Sequence, residues 1–245
     1  MKTTITIILV SSLFVSCSSY KKIKLTDCQH SSGYCKEIRD EAFKSWKYAM
    51  LSNNVYGKKM YNVSQLFTFL EKHEDTILNY YSELYKDNNT GEYVLVFRGT
   101  DSITDFQTGN NPINQEQNKH ALNIYDDVKN RYSIDSIIAT GHSLGGGIST
   151  NLSLNREKIK TYIFNASPVF NRNGNRIDND RHSIAENGEI LKITRLFGRE
   201  ADQIYTSINC SKGNPVKQHG ILPLTNCLIK IASNNDESIR NYLIE

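Results

Sequence analysis

Apolar residues recur at helical spacing from Ile38 to Met50, where Ile38, Ala42, Phe43, Trp46, Ala49 and Met50 are separated by charged positions. That periodicity predicts an amphipathic helix ending before Ser52-Asn53-Asn54, with Trp46 and Phe43 as core rather than ligand-binding groups. The apolar residues of 64–73 and 75–85, among them Phe67, Leu70, Ile77 and Tyr80, fit helix and strand equally. Beyond the turn cluster Asp87-Asn88-Asn89-Thr90-Gly91, the short run from Tyr93 to Phe97 predicts a buried strand. Gln107 to His120 is polar and reads as a long loop, followed by a helix face of Ala121, Leu122, Ile124, Tyr125 and Val128 running towards Tyr132. Residues 136–140 predict a strand, 144–154 a helix and 161–164 another strand. After a polar stretch from Asn173 to Glu189, the run Ile190 to Phe197 reads as one more strand. Alternating strands and helices predict an α/β fold with a mostly parallel sheet flanked by helices.

Chemistry enters at Thr140-Gly141-His142-Ser143-Leu144-Gly145-Gly146-Gly147, a G-x-S-x-G pattern between a predicted strand and a predicted helix. In an α/β-hydrolase this is the nucleophile elbow, a tight turn that lifts a serine hydroxyl clear of the sheet. Ser143 is the expected nucleophile, and side chains at Gly141 and Gly145 would collide as helix meets strand. A serine needs a base, and the base needs a carboxylate, in the chain order Ser, acid, His. Only His182 and His219 follow Ser143. His182 lies in the polar stretch, so His219, in a loop read as flexible, is the expected base. His142 points away from the hydroxyl in this motif, and His30, His73 and His120 read as solvent-facing.

A second signature, Phe97-Arg98-Gly99-Thr100-Asp101, stands upstream. Together with Gly141-His142-Ser143-Leu144-Gly145 it resembles the class 3 lipases, a branch of the α/β-hydrolases. The resemblance implies oxyanion donors at Thr100 and at the Leu144 amide, which would stabilise the charge that builds on an attacked ester carbonyl. It also implies that the carboxylate follows the strand at 190–197, which makes Asp202 the expected acid and Glu200 its competitor. The implied activity is hydrolysis of carboxylic esters of lipids or short-chain alcohols through an acyl-enzyme, with no metal or organic cofactor. A thioesterase or amidase would use the same triad. The alternative from another class is a surface lipoprotein that keeps the fold as a non-catalytic binding or assembly module, against which intact Ser143, Asp202 and His219 argue. The family places its lid near 107–120, and that segment has almost no apolar face for a lid to hide, so no interfacial activation is expected.

Composition adds the setting. The chain has 245 residues, 38% hydrophobic and 22% charged, which suits one domain with a full core. A formal charge of +3 spread without a basic block gives no footprint for nucleic acid. Lys2 followed by an apolar stretch from Ile5 to Leu13 reads as an export signal, too short to span a bilayer. Leu13-Phe14-Val15-Ser16-Cys17 resembles a bacterial lipobox, which would place a signal at 1–16, a lipid on Cys17, a tether over 17–27 and the hydrolase domain at 28–245. The expected location is the outer membrane or cell surface, with the membrane engaged through the N-terminal lipid. Five cysteines are odd for an exported protein. Assigning Cys17 to lipid leaves four, and Cys28 with Cys35 and Cys210 with Cys227 is the most local of three possible pairings. A bond between Cys210 and Cys227 would close a loop around His219.

Overall fold

The computed structural model describes residues 21–23, 33–100, 113–169, 177–197 and 203–244. Among these, eight strands form one sheet in the order β1-β8-β7-β6-β5-β4-β3-β2. The strands are β1 (Lys21–Ile23), β2 (Phe67–Asp75), β3 (Tyr80–Asp87), β4 (Tyr93–Phe97), β5 (Ile137–His142), β6 (Ile159–Phe164), β7 (Arg181–Glu186) and β8 (Gln203–Ile208). From β4 through β8 to β1 every pairing is parallel, while β2 and β3 add an antiparallel hairpin beyond β4. The ambiguous residues 64–85 are thus strands, and the expected mostly parallel sheet is present.

Strand alternation explains the three layers. On β4, Val94 and Val96 face a core with helix α1 (Lys36–Asn54) and helix α6 (Ile221–Ala232). Leu95 and Phe97 face the opposite core with helix α2 (Ile113–Tyr132) and helix α3 (Leu144–Asn155). The same split puts Ile138 of β5 on the first side and Ile137 and Ala139 on the second. Side chains with period two therefore feed both faces, as a sheet covered by helices requires.

Several expectations need correction. Helix α1 runs through Ser52 and Asn53 to Asn54 instead of ending before them, and Phe43, expected in the core beside Trp46, is exposed whereas Trp46 is buried. The second half of the supposed loop at 107–120 is helix, since α2 begins at Ile113, whereas 101–112 lie outside the described residues. Residues 192–197 form helix α4 (Lys192–Phe197) rather than a strand, and the strand lies earlier, at β7. Its residues escaped notice because they are polar yet buried: Arg181 Nε donates to Ser153 Oγ at 2.8 Å, and His182 Nδ1 meets Glu41 Oε2 at 2.6 Å. Partners that distant in sequence satisfy groups that would otherwise be too costly to bury. Finally, the loop before His219 contains the short helix α5 (Pro215–Gln218), started by Pro215 and capped by Asn214, whose side chain accepts from Lys217 N–H.

Candidate active site

β5 ends in the elbow. Ser143 has φ 56° and ψ −124°, a left-handed backbone that a serine adopts only when its surroundings impose it. The imposing contacts are Ser143 N–H to Phe164 O at 3.1 Å, and Ser167 N–H and Gly147 N–H to Ser143 O at 2.9 and 3.1 Å. The expected glycine role holds: a Cβ on Gly141 would lie 2.5 Å from the Gly145 carbonyl carbon, and one on Gly145 would overlap the Phe97 carbonyl oxygen. The elbow and the end of β4 are therefore pressed together, which brings Gly99 against Ser143. A Cβ on Gly99 would stand 3.3 Å from Ser143 Cβ. Half-buried Thr100 follows Gly99 directly, and Leu144, next in the chain after Ser143, heads α3.

His219 Nε2 lies 3.0 Å from Ser143 Oγ. His219 Nδ1 lies 2.6 Å from Glu189 Oε2. Because a carboxylate only accepts, Nδ1 carries the proton and Nε2 presents a lone pair to the serine hydroxyl. The sequence reading gave this carboxylate position to Asp202, with Glu200 as competitor. Glu189 occupies it instead, and Asp202 and Glu200 lie outside the described residues. Glu189 still obeys the order Ser, acid, His, but it follows β7, the strand hidden in the polar stretch. Its setting in Asn187-Gly188-Glu189, a turn at the end of a strand, is the signal that would have found it.

Further groups fix the pair. Leu191 N–H donates to Glu189 Oε2 at 2.9 Å, and the guanidinium of buried Arg195 forms an ion pair with Oε1 while donating to Ala166 O at 2.9 Å. His142 points away from the hydroxyl, as expected of this motif. Its Nε2 is 2.7 Å from the His219 carbonyl, and its Nδ1 is 2.9 Å from Tyr56 Oη. A carbonyl only accepts, so His142 is the Nε2–H tautomer, receiving the Tyr56 hydroxyl proton at Nδ1. Burial first, and then the neighbouring His219, push the His142 pKa down to about 3, so it is a neutral strut. Asn165 Nδ2 also donates to the His219 carbonyl, at 3.0 Å, while its Oδ1 accepts from Glu186 N–H at 2.8 Å. None of Glu189, Arg195, Tyr56 or Asn165 was singled out by sequence.

Cys210 and Cys227 are bonded, with Cα atoms 5.8 Å apart. Burial pushes the Glu186 carboxyl up in pKa, although its Oε1 accepts from Cys210 N–H and Ser211 N–H at 2.8 and 3.1 Å. The disulfide segment is thereby tied to the end of β7, three residues before Glu189. Cys17 and Cys28 lie outside the described residues, so the lipid site and the pairing of Cys28 with Cys35 are not described. His30 is likewise outside, while His73 and His120 are half-buried rather than solvent-facing, the latter with its ring 4.6 Å from Tyr80. A surface groove of about 590 Å³ beside Met60, Asn62 and Tyr242 shares no residue with Ser143, Glu189 or His219.

Comparison with solved structures shows the same fold. The Lip2 lipase of Yarrowia lipolytica superposes with TM-score 0.54 at 18% identity, covering 74% of this chain and 82% of that one. A triacylglycerol lipase of Penicillium expansum gives TM-score 0.52 at 13% identity, covering 74% and 89% respectively. No curated protein matches the chain in sequence. Residues 47–192, more than half of the chain and including Ser143 and Glu189, match a phospholipase-like family described as the Tle-like phospholipase domain, and the chain belongs to that family.

Proposed function

We propose that the protein hydrolyses carboxylic esters of lipids, with Ser143 as nucleophile, His219 as general base and Glu189 as the carboxylate that orients it. The observation that carries this reading is the hydrogen-bond chain from Glu189 through His219 to Ser143, at 2.6 and 3.0 Å. Family membership supports a lipid ester as the substrate class.

In the first step His219 Nε2 takes the Ser143 proton as Oγ attacks the ester carbonyl. Negative charge gathers on the carbonyl oxygen, where the Leu144 amide and Thr100 are the proposed donors. Glu189 stabilises the imidazolium without taking its proton. Collapse expels the alcohol, which leaves with the proton held at Nε2. Water, deprotonated by the same nitrogen, then attacks the acyl-serine, and the carboxylic acid departs as Ser143 recovers its proton. His142 and Asn165 contribute by holding the His219 carbonyl, which keeps the imidazole within reach of Oγ through both half-reactions.

The same proposal takes residues 1–16 as an export signal, Cys17 as the lipid-bearing residue, 17–27 as a tether and 28–245 as the catalytic domain, on the sequence pattern alone. The N-terminal peptide of the exported protein is then expected to carry the mass of a diacylated or triacylated cysteine. Labelling by a fluorophosphonate probe tests the chemistry. Wild type is expected to label and Ser143→Ala to remain unlabelled; a wild-type protein as unreactive as the variant would leave the fold as a binding module and sink the enzymatic reading.

A further inference from the structure

The carboxyl ends of the parallel strands carry more than the Ser143 site. Of the large hydrophobic side chains exposed among the described residues, the two most exposed are Ile77 at 92% and Ile193 at 68%, and both stand on this edge together with Val216. Topology fixes their place. β3 runs antiparallel to β4, with Ser82 opposite Phe97, so the turn before Tyr80 projects past the carboxyl end of β4. Arg98 Nη2 donates to Asn79 Oδ1 at 3.0 Å, which ties that turn to the segment leading to Thr100. On the other flank, Ile193 is on α4 after the end of β7, and Val216 is on α5 after the end of β8. Ile190 N–H donates to Pro215 O at 3.1 Å, and Gly188 lies against the Gln218 side chain, so these two segments are neighbours. In the sheet order, β5 with its elbow lies between the two flanks.

Among the described residues, the exposed charge around Ile193 and Val216 is one-sided. Lys192, Lys212 and Lys217 are exposed beside them. Among the described residues from 187 to 235 the carboxylate present is Glu189, buried and held by Arg195 and His219. The other flank carries Glu74 and Asp75, the latter turned back to accept from Ile77 and Leu78 N–H. Isolated apolar side chains on a surface are ordinary. Here the two most exposed ones bracket one site, and lysines accompany Ile193 and Val216.

We propose that this edge seats on an anionic phospholipid bilayer. Ile77, Ile193 and Val216 enter the boundary between headgroups and acyl chains, and Lys192, Lys212 and Lys217 lie over lipid phosphates. Seating of this kind turns the Ser143 end of the sheet towards the lipid esters, a step that rests on the hydrolase reading, whereas the docking itself does not. The rim belongs to the turn before β3 and to α4 and α5, and docking calls for no movement of them, so this differs from the opening of a lid.

The full chain carrying Cys17→Ser, to which no acyl group can attach, is the parent for the test. It is mixed with vesicles of phosphatidylcholine alone or with phosphatidylglycerol added, and bound protein is measured by flotation. The parent is expected to bind the anionic vesicles in excess of the neutral ones. Ile77→Ser with Ile193→Ser, and separately Lys212→Glu with Lys217→Glu, are expected to weaken that binding by about tenfold, with turnover of a soluble short-chain ester kept within about twofold of the parent. Equal binding by parent and variants, or no preference for anionic vesicles, would overturn the docking. A parent that binds vesicles but turns over neither soluble ester nor vesicle lipid would overturn the hydrolase reading and leave the docking standing.

Discussion

Glu189 divides its two oxygens between a base and a cation. Oε2 receives His219 Nδ1–H and Leu191 N–H, and Oε1 faces the Arg195 guanidinium, so a fully buried carboxylate is compensated on every side the described residues show. Glu189→Gln keeps the volume and removes the charge that fixes the His219 tautomer. Its kcat on a soluble ester is expected to fall by roughly 10² to 10⁴, as loss of a triad carboxylate does elsewhere. Asp202→Asn, tested beside it, is expected to stay within about threefold of wild type. The opposite ranking would return the acid to the position read from sequence. Ser143 and His219 were legible at this scale because motif and chain order constrain them. Glu189 was not, because nothing in a polar run distinguishes a catalytic carboxylate from a solvated one until the imidazole stands beside it.

At the scale of elements, His219 is presented by a short capped helix and a disulfide. Cys210 lies just beyond β8 and Cys227 on α6, so their bond encloses α5 and His219 in a segment whose ends are 17 residues apart. Closing a loop of this length is worth about 3 kcal/mol by restriction of the unfolded chain. The double variant Cys210→Ser with Cys227→Ser is expected to lose about that much in urea unfolding, and also to lower kcat as the His219 segment loosens. Unchanged stability in the double variant would show that the staple contributes nothing to the fold. Periodicity located α1, α3, β4, β5 and β6 because each carries enough buried apolar residues to mark its inward face, even where polar ones such as Glu41, Ser149 and Thr161 are buried with them. It failed at β7, whose six residues are all buried although Arg181, His182, Ser183 and Glu186 are polar or charged, and it mistook the apolar residues of α4 for a strand.

Across the whole molecule, the buried titratable groups set how the protein answers acid. His142 has a folded pKa of about 3 against an ordinary 6.5, so the native state binds fewer protons than the unfolded one throughout that interval. Its contribution to stability is complete above about pH 6.5 and is lost as pH falls towards 3. His73, held down chiefly by burial against the opposing pull of Glu71, acts with the same sign. Glu41 joins at lower pH: burial raises its pKa, but His182 and Lys44 outweigh that and hold it down, so its stabilisation fades as pH falls below its ordinary value. Glu186 works oppositely, since burial raises its pKa and its charging costs stability as pH climbs. Between pH 6.5 and 4.5 a shift of that size at His142 corresponds to about 2 to 3 kcal/mol. Urea midpoints are therefore expected to drop over this range, and His142→Gln, which still offers a donor to the His219 carbonyl, is expected to show a shallower drop. A variant with the wild-type pH dependence would remove His142 from this account. The amino-acid sequence by itself determined the alternation of strand and helix, the elbow at Ser143 and the chain order of Ser143 and His219, because local periodicity and steric need at Gly141 and Gly145 are written in neighbouring residues. Only the tertiary structure decided that Glu189 stands against His219, that Arg195, Tyr56, His142 and Asn165 brace the pair, and that Ile77 shares an edge with Ile193. Those facts depend on which strand ends meet in space, and residues with no periodic signal acquire a role only when a partner far along the chain is brought within hydrogen-bond distance.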